Sequence, residues 1–169
     1  LQSKAIAQIK NIIESKFGSD VPLFIGGDFN DDVQHSPDLA AIGRSGMKDF
    51  FDLSLQPFQG SRATHTYHGH DGTFSAQQID ALWANNWSAR QNLILSAGIY
   101  RWRNDFNQEK PLPQTIDERN NNPSDHFPVW GVIDFAKLLK LSRQRTQQPQ
   151  ATYFRSLSER QGQAALAKP

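Results

Sequence analysis

An aspartate and an asparagine two positions apart close a short apolar run: Val21-Pro22-Leu23-Phe24-Ile25 leads through Gly26-Gly27 into Asp28-Phe29-Asn30. If the chain stays extended there, both side chains point the same way. The carboxylate can bind a metal or polarise water, and the amide can donate to a phosphate oxygen. The ordinary alternative is a turn, because Gly, Asp and Asn are turn formers. A second pair, Asp125-His126, stands in Ser124-Asp125-His126-Phe127-Pro128-Val129 at the start of another apolar run. It joins a hard-metal ligand to a proton-transfer or phosphate-binding group, or else it is a strand cap with a surface histidine. A third acid, Asp80, lies inside Gln78-Ile79-Asp80-Ala81-Leu82-Trp83. A carboxylate in an apolar strand is costly to bury unpartnered, and a histidine N–H is a natural partner, as in sites where an acid orients a histidine. The alternative is a solvent-facing strand position.

Between these segments lies Thr64-His65-Thr66-Tyr67-His68-Gly69-His70. Its three histidines suggest a transition-metal site, yet on a strand His65 and His68 face opposite ways and do not converge. They are expected to be structural or surface residues. Asp31-Asp32 fit a solvated loop. Arg101 and Arg103, flanking Trp102, fit a surface strand end better than an anion site.

The elements that must carry these residues follow from periodicity. Residues 2–17 place Ile6, Ile9, Ile12/Ile13 and Phe17 at helical spacing, and Gly18 suits the helix end. The run 21–25 is a buried strand. Ser36-Pro37 opens a short helix through Leu39–Ile42 that ends near Gly43. Strands are expected over 49–53, 64–67, 78–83, 93–102 and 127–135. Residues 103–124 form a long polar loop. A helix begins over 136–141, and a weak helical patch lies near 153–166. The ordering of helices and strands predicts an α/β chain with a mixed or antiparallel sheet and helices on one face.

Composition narrows the classes. The 169 residues fit one domain, and there is no cysteine, which excludes disulfides and thiolate metal sites. Absence of cysteine is weakly compatible with a periplasmic or secreted protein. No apolar run is long enough to cross a membrane, and the first residues lack a signal-peptide pattern. Residues 1–135 hold 11 Lys/Arg against 16 Asp/Glu, a net −5; residues 136–169 hold 7 against one acid, a net +6. The acidic body repels a polyanion unless bound metal inverts the local field. The basic tail suits contact with nucleic acid or anionic lipid, and the plainer expectation is a solvated, partly disordered tail.

GDFN, QIDALW and SDHFPV, in this order, resemble the motif series of the endonuclease/exonuclease/phosphatase superfamily, the pancreatic deoxyribonuclease-like proteins. The resemblance covers about residues 1–135 and matches the C-terminal half of that domain. It implies half of a four-layer α/β/β/α sandwich with a mixed, mostly antiparallel sheet over 1–141, with 142–169 a basic, polar tail, partly helical or disordered. It implies a phosphoesterase dependent on Mg²⁺ or Mn²⁺, in which water attacks phosphorus in line. Asp28 then positions the water and touches metal, Asn30 contacts the scissile phosphate, Asp125 binds metal, His126 stabilises phosphate charge and Asp80 orients His126. A TYHG stretch occurs near the substrate cleft of bacterial members, which makes His68 a candidate substrate contact. The substrate is nucleic acid, a small phosphodiester or a lipid headgroup. The family's first half, with its metal-binding Glu, is expected as a separate chain or missing segment. A phosphate-binding or interaction fragment without catalysis is the alternative.

Overall fold

A computed structural model describes residues 2–147. The chain divides into two compact units, residues 1–133 and 134–169. The expected helical patch at 153–166 lies outside the described residues.

The first unit opens with α1 (Gln2–Phe17). Gly18, in the left-handed region at φ 92°, ends it, and its N–H returns to the Glu14 carbonyl at 2.8 Å. The helix is turned from the orientation its isoleucines suggest. Ser3 and Lys10 are buried and Ile6 packs on the core, whereas Ile9, Ile12 and Phe17 are exposed. Lys10 tolerates its position because Nζ meets the Glu14 carboxylate at 2.7 Å.

A three-stranded antiparallel sheet follows, with β1 (Phe24–Asp28) and β2 (Met47–Asp49) on either side of β5 (Asp80–Asn85). Alternation along β5 sends Ala81 and Trp83 into a core with Phe29, Leu39, Ile42 and Met47. Each fully buried aliphatic side chain there contributes about 1.5–3 kcal/mol. Asp80 and Leu82 take the other face. That face is close-packed: a Cβ at Gly26 would collide with Leu82, and one at Gly131 with Phe50. α2 (Ala40–Arg44) begins later than expected. Ser36 Oγ instead accepts from Leu39 N at 3.3 Å and caps the preceding turn.

The expected strand over 49–53 is corrected. Asp49 ends β2 and its carboxylate accepts from Phe51 N at 2.8 Å, capping the short helix α3 (Phe50–Leu53). β3 (His65–His68) and β4 (Phe74–Gln77) form a hairpin, with Gly72 at φ 81° in its loop. α4 (Asn86–Arg90) follows β5 directly, capped by Asn85. β6 (Ile94–Ile99) pairs antiparallel with β7 (Val129–Ile133), and both are shorter than expected. The expected loop over 103–124 contains α5 (Ile116–Asn120), whose cap is Thr115 accepting from Glu118 N at 3.2 Å.

The described residues of the second unit form α6 (Phe135–Gln147), which starts where Asp134 caps Lys137 N at 2.9 Å. The expected helix at 136–141 is present and runs on through 142. The chain is therefore α/β with small antiparallel sheets. No described helix is long and apolar enough to cross a membrane.

Candidate active site

The register of β1 against β5 sets Asp28 directly opposite Asp80. Residues directly opposite in an antiparallel pair project from the same face, so two carboxylates meet at one end of the sheet. Two further backbone bonds extend this union past the strand ends: Phe29 N to Ile79 O and Val33 N to Gln78 O, each 2.7 Å. The chain then turns at Asn30, whose φ of 52° is left-handed and whose N–H donates to Asp28 Oδ1 at 2.8 Å. Asparagine tolerates that backbone better than most residues.

His126 arrives from the other end of the sequence. Its Nδ1 lies 3.0 Å from Asp80 Oδ2. A carboxylate accepts only, so Nδ1 carries the proton and Nε2 faces away from Asp80. Asp28, Asp80 and His126 each offer an atom within 4.8 Å of the other two.

Thr64 ties these pieces together. Its hydroxyl accepts from Ile79 N at 3.0 Å and from Asp80 N at 2.9 Å. Its carbonyl accepts from Phe127 N at 2.7 Å, and its own N–H donates to Gln77 O at 2.9 Å. One fully buried threonine thus fixes the segments bearing Asp80 and His126 relative to each other. No local pattern marks it, because its partners lie up to 63 residues away.

His65, expected as structural or surface, lies beside His126 in an isolated antiparallel bridge, with ring centroids 5.0 Å apart. Its Nε2 is 3.6 Å from Asp125 Oδ2. Burial first, then the neighbouring His126, hold its imidazole below the ordinary pKa, while Asp125 pulls the other way. His65 and His68 diverge as strand alternation requires, but His65 converges with a histidine 61 residues on. Asp125 falls in a group with His65 and His126, and Asp28 in a group with Asp80 and His126. The two acids expected to share a metal therefore belong to separate groups with one common histidine.

His68 belongs to neither group. Its ring rests 5.1 Å from Phe74, and both ring nitrogens are buried without a hydrogen-bond partner. Asp31 and Asp32 serve their own loop, through Ser36 and through His35 at 2.8 Å. Arg101 is structural: it donates to the carbonyls of Ala63 and Ser61 at 2.7 Å each and stacks 4.7 Å from the Phe127 ring. Arg103 bonds Asn107 O at 2.7 Å.

No protein-family model matches the sequence, and no curated protein does. Among solved structures the chain is similar to a mannosyl-6-phosphatase of Bacteroides thetaiotaomicron VPI-5482, with 20% identity and a TM-score of 0.44. The similarity covers 76% of this chain and 43% of that one, so this chain spans less than half the length of its neighbour.

Proposed function

We propose that this chain carries the catalytic edge of a divalent-metal-dependent phosphoesterase, with Asp28, Asn30, Asp80, Asp125 and His126 as its working residues. The carrying observation is the meeting of Asp28, Asp80 and His126 within 4.8 Å, from three segments widely separated in sequence. Two carboxylates directly opposite each other repel, and a divalent cation relieves that repulsion, so the donor set fits Mg²⁺ or Mn²⁺ held by oxygen. Such an ion supplies charge neutralisation at the phosphate and at the leaving oxygen.

The chain's own groups account for the remaining chemistry. Asp28 orients water for attack on phosphorus in line with the leaving oxygen. Asn30, set by its turn, donates its amide to a phosphate oxygen. Asp80 holds His126 with Nδ1 protonated, so that Nε2 is the nitrogen presented to the phosphate. When that nitrogen is protonated, the imidazolium stabilises charge in the transition state, and Asp80 stabilises the imidazolium. Asp125 adds a carboxylate at the same edge. Substrates are phosphate esters: nucleic acid, a small phosphodiester or a lipid headgroup.

On this reading the full fold is the four-layer sandwich, completed by a second sheet from residues outside this chain. Trp130 and Val132, 45% and 44% exposed on β7, offer apolar surface of the kind such a sheet would bury.

The test is hydrolysis of bis-(p-nitrophenyl) phosphate in Mg²⁺ or Mn²⁺. Turnover is expected to vanish with EDTA and to fall by about 10²–10³-fold in His126→Ala. Turnover indifferent to both would overturn the assignment. Metal-dependent phosphate binding without turnover would favour a binding fragment of the same fold.

A further inference from the structure

We propose that His65, Asp125 and His126 form a binding site for a divalent transition-metal ion of the Zn²⁺ type. The site adjoins the Asp28–Asp80–His126 group through His126, and it shares Asp125 and His126 with the residues proposed for hydrolysis.

The backbone prepares it. His65 and His126 form an isolated antiparallel bridge, and the adjacent bond from Phe127 N to Thr64 O is 2.7 Å. Residues bridged in this way stand side by side on one face, and the rings lie 5.0 Å apart at 52°. The three side chains each offer a ligand atom within 4.8 Å of the others. His65 Nε2 and Asp125 Oδ2 are 3.6 Å apart. That is too long for a good hydrogen bond. It is close to the separation of about 3.4 Å between two ligands held at roughly 2.1 Å by a tetrahedral ion. Among the described residues the ion-pair partner of His65 Nε2 is Asp125, itself the carboxylate of the same ligand group.

The surroundings of His126 complete the case. Metal-bound histidines commonly give their second ring N–H to a carboxylate, which fixes the tautomer and orients the ligating nitrogen. Asp80 does this at Nδ1, 3.0 Å away, so the ion takes Nε2, the nitrogen that otherwise meets the phosphate, and metal here excludes that contact. Two imidazoles and one carboxylate suit Zn²⁺ and its neighbours in the transition series. Mg²⁺ instead demands oxygen ligands. Three protein ligands also leave a fourth position for water or an oxygen of a bound anion.

The experiment reads metal binding alone, without substrate, so it stands or falls separately from phosphoester hydrolysis. Metal-free protein is titrated with Zn²⁺ against a chromophoric chelator, and Co²⁺ is followed by its visible absorption. One Zn²⁺ per chain is expected, bound more tightly than Mg²⁺. His65→Gln is expected to weaken Zn²⁺ by about tenfold or more and to change the Co²⁺ spectrum, while His35→Gln, at an exposed histidine outside either ligand group, leaves affinity and spectrum unchanged. His65→Asp keeps a ligand but exchanges nitrogen for oxygen. It is expected to shift preference towards Mn²⁺, a gain that loss of folding would not produce. Equal Zn²⁺ affinity in the natural chain and His65→Gln would overturn the proposal. So would Zn²⁺ binding that is lost in His70→Ala instead, which would mark an incidental surface histidine.

Discussion

Asp49 shows how much a single buried charge can govern. It is 5% exposed, and its two oxygens accept from Phe51 N at 2.8 Å and Gln78 Nε2 at 2.6 Å. Burial outweighs those bonds and pushes its pKa up to about 6, with Asp52 adding to the rise and Arg62 opposing it. A pKa raised by folding means that the folded chain favours the protonated acid. The associated stability is therefore full below the unfolded value of 3.8 and is lost as pH rises through about 6. A shift of this size corresponds to about 3 kcal/mol. Asp49→Asn keeps a capping oxygen and removes the charge. Its advantage over the natural chain in urea unfolding is expected to grow from pH 4 to pH 7 by up to about 3 kcal/mol. A constant difference across that range would show that Asp49 does not titrate as its burial implies.

At the scale of elements, the junction around Thr64 decides whether the site exists. β3, the start of β5 and the segment entering β7 meet there, and none of the three forms a wide sheet with the others. Thr64→Val preserves shape but orphans the N–H groups of Ile79 and Asp80. Each such loss costs about 1–3 kcal/mol, so a destabilisation of roughly 2–5 kcal/mol is expected, measured by urea unfolding. Thr64→Ser restores the acceptor and should recover most of it. If valine and serine behaved alike, the hydroxyl would not be the link. The short helices around this junction show why local reading fell short. α3 occupies an apolar run that reads as strand until Asp49 caps it. α5 was legible in principle, because Thr115-Ile116-Asp117-Glu118 has the spacing of a capping box, but it sits inside a polar stretch that looks like loop.

At the scale of the whole molecule, metal should couple to folding. The first unit holds both carboxylates of the Asp28–Asp80 pair on one sheet, so an ion bound there stabilises only the folded chain. At about 100 times its dissociation constant the ion contributes about 2.7 kcal/mol, a rise of roughly 2–6 °C in Tm for a unit of this size. Mn²⁺ is expected to raise Tm, EDTA to reverse the rise, and Asp28→Asn to diminish it. An unchanged Tm across a Mn²⁺ titration would count against an ion at that pair. The negative charge of residues 1–135 acts in the same direction, since a cation lowers the self-repulsion of an acidic body.

The sequence by itself determined which residues to watch and the strands that deliver them. Asp28, Asp80 and His126 stand in or beside short apolar runs, and such runs are local signals of burial that survive in any context. It also determined that His65 and His68 diverge, because strand alternation is a property of the backbone. Only the tertiary structure decided where each of them goes. His65 meets His126 through a bridge spanning 61 residues, and Asp28 meets Asp80 through a register set by hydrogen bonds between strands distant in sequence. α1 presents Ser3, Ile6 and Lys10 to the interior and leaves Ile9 and Ile12 exposed, with Lys10 Nζ meeting Glu14. Periodicity fixes which side chains share a face. What that face meets is fixed by partners that have no neighbouring position in the sequence.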